Sequence, residues 1–216
     1  MLAQTLLLAT AYTAMASPLS PRDAYTPTGL SQGFKLILNV THLPSDFAAT
    51  PVHGLELTSI HVGAGINAPV PVESGSAYFA SNGGTVQEDI NAANPYGFEM
   101  SDLPEENTPA LYDLHVNIGG GEQGFAVSGG ACPALRAPSP GVFVVCDQGF
   151  DVYAHPKLVL KFVAGRVAVP TNCTVVELLP QCAELSGGES NTGAGPESSC
   201  YAGAVADVDW SKATAC

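Results

Sequence analysis

The chain has 216 residues and a formal net charge of −13 at pH 7, because 7 Lys and Arg stand against 20 Asp and Glu. So few cations leave no basic face to neutralise phosphates, which argues against nucleic-acid binding and against attraction to an anionic membrane surface. The length suits one domain of sandwich size with terminal extensions.

Residues 1–16 predict a secretory signal peptide. The segment MLAQTLLLATAYTAMA carries a short apolar run and ends on Ala14-Met15-Ala16, the small-residue pattern of a cleavage site. The run is too short to span a bilayer, which takes about 20 apolar residues. We therefore expect a secreted, extracellular protein that is not inserted in a membrane.

Residues 17–32 are Pro-rich and predict an extended N-terminal arm, and the strand-like runs follow in residues 33–185. These runs are apolar or alternating segments bounded by Gly, Pro, Asn or Ser. They are Phe34–Val40, Leu55–Val62 with a bulge near Ser59, Ser76–Ala80, Tyr112–Ile118, Val142–Cys146, Phe150–Ala154, Leu158–Phe162, Val167–Val169 and Thr174–Leu179. Together they predict an all-β domain, a single antiparallel β-sandwich or a partly open barrel.

The remaining segments show no sustained helical period. Residues 91–109 predict a long loop, and at most a short helix is expected near Cys182–Leu185. Residues 186–216 are rich in Gly and Ser and predict a flexible tail. The single tryptophan, Trp210, lies in this tail and offers the alternative that the tail docks on the body.

Six cysteines follow the signal segment. They are Cys132, Cys146, Cys173, Cys182, Cys200 and Cys216. An even number of cysteines in a secreted chain predicts disulfides. Short loops close most readily, so we expect pairing in sequence order: 132 with 146, 173 with 182, and 200 with 216. A zinc site is the rival interpretation, but no C-x-x-C pair is present, and we expect no metal and no cofactor.

Two sequons, at Asn39 and Asn172, fit the same compartment and predict N-glycosylation. Asn39 falls opposite the apolar face of Phe34–Val40, so we expect its side chain to face solvent. The second sequon contains Cys173, whose disulfide formation would compete with glycosylation.

Three glycine motifs resemble catalytic or cofactor signatures. Residues 63–68 and 119–124 match dinucleotide-binding patterns, but prolines or a strand follow where a helix is required. Residues 29–33 match a nucleophile elbow, but an arm precedes them and a strand follows. His53, His61 and His115 could converge on one metal, although the spacing of metal-binding motifs is absent.

Three segments, FKLILNVT, LELTSIHVGAGIN and VPTNCTVVELLPQCAEL, resemble a family of small secreted ascomycete proteins of unknown function. The resemblance implies a signal peptide, an all-β body over about Phe34 to Leu185, and a C-terminal strand flanked by two cysteines. It implies no catalytic residues.

The favoured hypothesis is a non-catalytic extracellular protein, associated with a cell wall or matrix or acting as a secreted interaction factor. Its partner would be an extracellular polysaccharide or protein, and a weak candidate ligand site is the loop end that carries His61, Asn67 and Asn82. The alternatives are a secreted hydrolase with dispersed catalytic residues and an effector or inhibitor acting through the tail. Nothing in the sequence indicates an oligomeric state.

Overall fold

The computed structural model describes residues 28–42, 51–90, 93–148, 157–187, 193–206, 208 and 210, and its regular structure is almost entirely β. The strands are β1 (Thr28–Ser31), β2 (Gly33–His42), β3 (Glu56–Gly63), β4 (Ile66–Val72), β5 (Ala77–Ala80), β6 (Val86–Asp89), β7 (Tyr96–Met100), β8 (Leu111–Ile118), β9 (Ala126–Val127), β10 (Leu135–Arg136), β11 (Gly141–Asp147), β12 (Leu158–Ala164), β13 (Cys173–Ala183) and β14 (Ser198–Tyr201). No described segment forms a helix long and apolar enough to cross a membrane.

Eight strands close into an antiparallel barrel in the order β13-β11-β12-β8-β7-β6-β5-β2, and β2 pairs back with β13. The closing contact runs from Ala183 beside Gly33 to Val175 beside His42, with one register irregularity. The all-β class is confirmed, but the expected sandwich or partly open barrel is wrong. Closure is favourable because it removes the two sheet edges that β2 and β13 would otherwise expose.

The barrel interior is built by alternation along each strand. Phe34, Leu36 and Leu38 of β2 point inward and meet Phe162 of β12 and Leu178 of β13 in one continuous core. This alternation is the reason that Phe34–Val40 was predictable as a strand. Burial of these large apolar side chains provides the main stabilisation of the barrel.

Four strands extend the sheet beyond the ring: β3 and β4 follow β2, and β14 and β1 follow β13. The β3–β4 hairpin continues from β2, where Ile37 pairs with Glu56, and its register shifts between His61 and Gly63. The bulge expected near Ser59 therefore lies closer to the turn. The glycine-rich turn after Gly63 leads into β4, and the one at residues 119–124 leads towards β9, which confirms that neither motif begins a helix.

Two disulfides join Cys146 to Cys173 and Cys182 to Cys200. The expected sequence-order pairing is wrong, because strand pairing decides which cysteines meet: Cys146 of β11 and Cys173 of β13 are direct register partners. Cys132 is also disulfide-bonded, and Cys216 lies outside the described residues.

The described part of the C-terminal segment packs on the body instead of forming a free tail. Strand β14 pairs with β1, so part of the predicted N-terminal arm also belongs to the sheet. Tyr201 and Val205 cover Ile37 and Leu179 on the outer face of the barrel. Trp210 stacks edge-on against Tyr201, with ring centroids 5.0 Å apart. The docking alternative for the tail therefore holds for these residues.

Three local predictions differ from the structure. Val167–Val169 forms no strand, and Cys182 continues β13 instead of starting a helix. Residues 91–109 include strand β7, so the long loop is shorter than expected. The predicted strand Phe150–Ala154 lies outside the described residues.

A buried ion cluster lies on the outer face of β12. Lys161 is 5% exposed; its ammonium contacts the carboxylate of Glu105 and lies 2.7 Å from Oδ1 of Asp113. Burial alone would lower the pKa of Lys161, but the hydrogen bonds to Asp113 and Glu105 and their charges outweigh it and raise that pKa.

A second buried polar cluster links the hairpin to β6. The Glu88 carboxylate is fully buried and accepts hydrogen bonds from Thr58 Oγ1 at 3.1 Å and from the backbone N–H and hydroxyl of Ser59. Tyr78 is its register partner on β5. Burial, and next the charge and proximity of Glu88, raise the pKa of Tyr78 well above 10, although their contact lacks the geometry of a hydrogen bond.

Candidate functional site

One end of the barrel is covered by a small two-stranded sheet, which we call the end cap (residues 125–137). Leu135 pairs with Val127 and Arg136 with Ala126. Ser128 holds the two strands together, because its hydroxyl accepts a hydrogen bond from the N–H of Ala134 at 3.0 Å. Leu135 is buried in the barrel core, so the cap is anchored by an apolar side chain.

A cavity of about 580 Å³ opens between the end cap and strands β11, β12 and β13. The segment Pro138-Ser139-Pro140 forms one side, and its prolines favour an extended path from the cap to β11. Gly141 then lets the chain pass close to β12: a Cβ there would lie 2.5 Å from the ring of Phe162. The cavity depends on this close approach.

The walls of the cavity are mainly apolar. Phe143 and Phe162 meet edge to face with ring centroids 5.5 Å apart. Leu135 and Val176 also line the cavity, and all four side chains belong to the barrel core. Because the cavity opens to the outside, a ligand inside it would contact side chains of the barrel core.

Four polar residues stand around this lining: Thr41, Arg136, Ser139 and Glu177. Thr41 and Glu177 are engaged, since the Thr41 hydroxyl donates to Val175 O at 3.5 Å and Glu177 Oε2 accepts from Asn39 Nδ2 at 3.1 Å. Within the described part of the chain, Arg136 is exposed and has no ion pair, and the buried Oγ of Ser139 has no hydrogen-bond partner. These two donors remain available to a ligand.

A second cleft, of about 390 Å³, lies beside Asn82 and the glycine-rich segment 119–121. Its polar groups mostly bond to the protein itself: Gln87 Nε2 donates to Gly120 O at 3.0 Å, and the Thr85 hydroxyl donates to the same oxygen. Asn82 Nδ2 donates to Ala194 O at 3.3 Å. This hydrogen bonding favours a structural role for the second cleft.

The predicted loop site is only partly assembled. His61 is exposed and pairs with Asn67, but Asn67 is buried and its amide donates to Ser59 Oγ at 3.0 Å. The β3–β4 turn meets the end of β8, where Ile118 N–H donates to Gly65 O at 3.3 Å. The neighbouring Gly120 borders the cleft that contains Asn82. The two loops are thus adjacent. His61 is exposed, whereas the amides of Asn67 and Asn82 donate hydrogen bonds to the protein itself.

The histidines do not form a metal centre in the described ranges. No group of three or more His, Cys, Asp or Glu side chains is placed to hold an ion there. His53 instead accepts a hydrogen bond from Val40 N–H at 3.2 Å, and His115 lies on β8 with a buried Nδ1. His53 thus lies in the turn before β3, apart from His115 on β8.

The two sequons differ in exposure. Asn39 is 6% exposed, and its amide nitrogen bonds to Glu177, so the expectation that it faces solvent is wrong: the C-terminal segment covers this face of β2. Asn172 is exposed in the turn before β13, where Nδ2 donates to Asp147 O at 3.0 Å. Glycosylation of either residue stays a prediction.

Sequence analysis did not single out Arg136 or Ser139. The available signal was the Pro-Ser-Pro segment directly before a continuously apolar strand, which marks a fixed, extended approach to the core. Nothing in the sequence shows that this segment meets β12 and β13, because those strands lie farther along the chain.

Comparison with known proteins gives relatives but no structure. The chain is 29% identical over 192 residues to "Antigenic protein SchS34" of Stachybotrys chartarum, covering 79% of this chain and 86% of that protein. No solved structure matches. A family model matches residues 31–182, which include every strand of the barrel except the last residue of β13. The chain therefore belongs to the family described as "Domain of unknown function (DUF7907)".

Proposed function

We propose that this protein is a secreted, non-catalytic binding protein that holds a small, mainly apolar molecule in the cavity under its end cap. The observation that carries the proposal is the cavity itself, about 580 Å³ and lined by Phe143, Phe162 and Val176 of the barrel core. Small-molecule sites usually have about 300–1,000 Å³ and a mainly apolar lining with a few polar groups.

The polar lining supports binding without catalysis. Glu177 is the one carboxylate among the described lining residues, and no histidine accompanies Ser139. Hydrolysis of glycosides generally needs two carboxylates, and activation of a serine needs an adjacent base. A secreted hydrolase thus finds no support at this cavity.

Several features are compatible with an extracellular location. The disulfides persist best in an oxidising compartment, and residues 1–16 have the pattern of a signal peptide. The relative from Stachybotrys chartarum is named an antigenic protein.

A wall or matrix polysaccharide is the alternative ligand class. Flat sugar-binding surfaces usually present aromatic rings, whose apolar faces stack on sugars. The exposed large apolar side chains in the described ranges are aliphatic, among them Leu103 and Val167. This composition favours a molecule that enters the cavity over a chain that lies along the surface.

The test is binding of the neutral dye N-phenyl-1-naphthylamine, whose fluorescence rises in apolar surroundings. The variant Ala137→Phe places a large side chain in the cavity lining and should abolish the saturable signal. The matched control Ala126→Phe adds the same ring at an exposed position of β9 and should bind like the unmodified protein. Equal binding by both variants, or no saturable binding by the unmodified protein, would refute the proposed function.

A further inference from the structure

We propose that the cavity selects amphipathic monoanions, molecules with an apolar body and a single acid group, and that Arg136 binds the acid. This inference rests on the proposed function and adds the chemical class of the ligand. It is carried by the position of one unpaired cation at the rim of an apolar cavity.

Cations are scarce in this chain, and most described lysines are already engaged. Lys35 pairs with Glu56 at 2.7 Å, Lys157 with Asp147 at 3.5 Å, and Lys161 contacts two carboxylates. Arg136 has no such partner in the parts of the chain that the structure describes. A guanidinium is suited to bind a carboxylate or sulfonate through two parallel hydrogen bonds.

The surroundings of Arg136 divide the cavity into a polar rim and an apolar interior. Arg136 lies on the exposed side of β10, whereas its neighbour Leu135 points into the core. Ser139 adds a hydroxyl whose buried oxygen has no hydrogen-bond partner among the described residues. A ligand that places its acid at Arg136 would extend its apolar body towards Phe143 and Phe162.

The other charged residue at the rim, Glu177, would repel an anion. Glu177 lines the same cavity and forms no ion pair with Arg136 among the described contacts. The overall charge of −13 also disfavours anions, but over more than about 8 Å it is screened at physiological ionic strength. Arg136 and Glu177 are therefore the charges that act on a bound ligand, and removal of the Glu177 charge should strengthen anion binding.

The experiment compares two dyes with the same apolar body on the full chain: neutral N-phenyl-1-naphthylamine and 1-anilinonaphthalene-8-sulfonate, which carries one acid group. We expect the anionic dye to bind about tenfold more tightly, a modest factor because Arg136 is exposed. Arg136→Gln should remove this preference, so that this variant binds the two dyes with about equal affinity. The control Arg166→Gln, at an exposed arginine outside the cavity, should keep it.

A variant that gains affinity provides a further test, because a misfolded protein would lose dye binding and could not gain it. Glu177→Gln should bind the anionic dye about two- to threefold more tightly, because a repelling charge is lost while an amide oxygen can still accept from Asn39. Decanoate should displace the dye more effectively than decanol. Saturable binding of the neutral dye without any preference for the anion would overturn this inference alone, whereas failure of both dyes to bind would overturn the proposed function as well.

Discussion

The buried cation on β12 gives a quantitative test of the fold. Lys161→Met keeps the apolar stem but removes the ammonium from its two carboxylates. Loss of one partner of a fully buried pair costs about 3–5 kcal/mol. Glu105 and Asp113 are 31% and 43% exposed, so water partly solvates them, and we expect a loss of about 2 kcal/mol at pH 7. For a chain of this size, that lowers Tm by about 4–8 °C.

The pH dependence separates the charge from the packing. Lys161→Met should cost less at pH 11 than at pH 7. In the unmodified protein the pKa of Lys161 is raised, so its contribution is fully present below its ordinary value of 10.5 and is lost as pH rises through the folded pKa.

Urea unfolding followed by circular dichroism at both pH values measures these differences. Lys157→Met is the matched control, because that side chain is 62% exposed and its ion pair should contribute less than about 0.5 kcal/mol. If Lys161→Met were as stable as Lys157→Met at pH 7, or lost as much stability at pH 11 as at pH 7, the assigned role of the ion cluster would be wrong.

Three further changes probe other parts of the molecule. Tyr78→Phe should be at least as stable at pH 7, since the buried Tyr78 hydroxyl lacks a hydrogen-bond partner within the described ranges. The variant should also lose less stability above pH 10, because the raised pKa of Tyr78 implies stability that disappears as pH rises. A loss above about 1 kcal/mol in urea unfolding at pH 7 would contradict this. Replacing Cys182 and Cys200 together by Ser opens an 18-residue connection, so the free energy of unfolding should fall by about 3 kcal/mol. The fluorescence emission of Trp210 should shift to the red as the C-terminal segment loosens. Unchanged emission and stability would count against the docked segment. Gly97→Ala should destabilise the protein by about 1–3 kcal/mol, because a Cβ there would lie 2.5 Å from a neighbouring backbone nitrogen. An unchanged thermal midpoint would show that this close approach is absent.

Strands with a regular alternation of apolar and polar residues were predictable, whereas a strand that contains prolines was not. Phe34–Val40 and Leu158–Phe162 alternate cleanly and form β2 and β12. Strand β4 was missed because Pro69 and Pro71 lack N–H donors and argue against a strand. They are tolerated because β4 is the last strand of the sheet and needs donors on one side only.

The barrel closure and the cavity depend on contacts that local patterns do not encode. No residue pattern within Phe34–Val40 or Thr174–Leu179 indicates that these two strands pair with each other. The disulfides show the same limit: short-loop entropy favours consecutive cysteines but does not say which of them pair. Cys146 joins Cys173 because β11 pairs with β13. The cavity residues come from five separate strands, so their common site appears only in three dimensions.

The closing contact between β2 and β13 also constrains how the protein can be made. The first of these strands is synthesised early, and it must wait for its partner until residues 173–183 have emerged from the ribosome. Until then, β2 and β11 each present an open backbone edge, a template for mispairing and aggregation. A premature stop before Cys173 would leave both edges permanently open, so such fragments should be substrates for quality control and not partly active proteins.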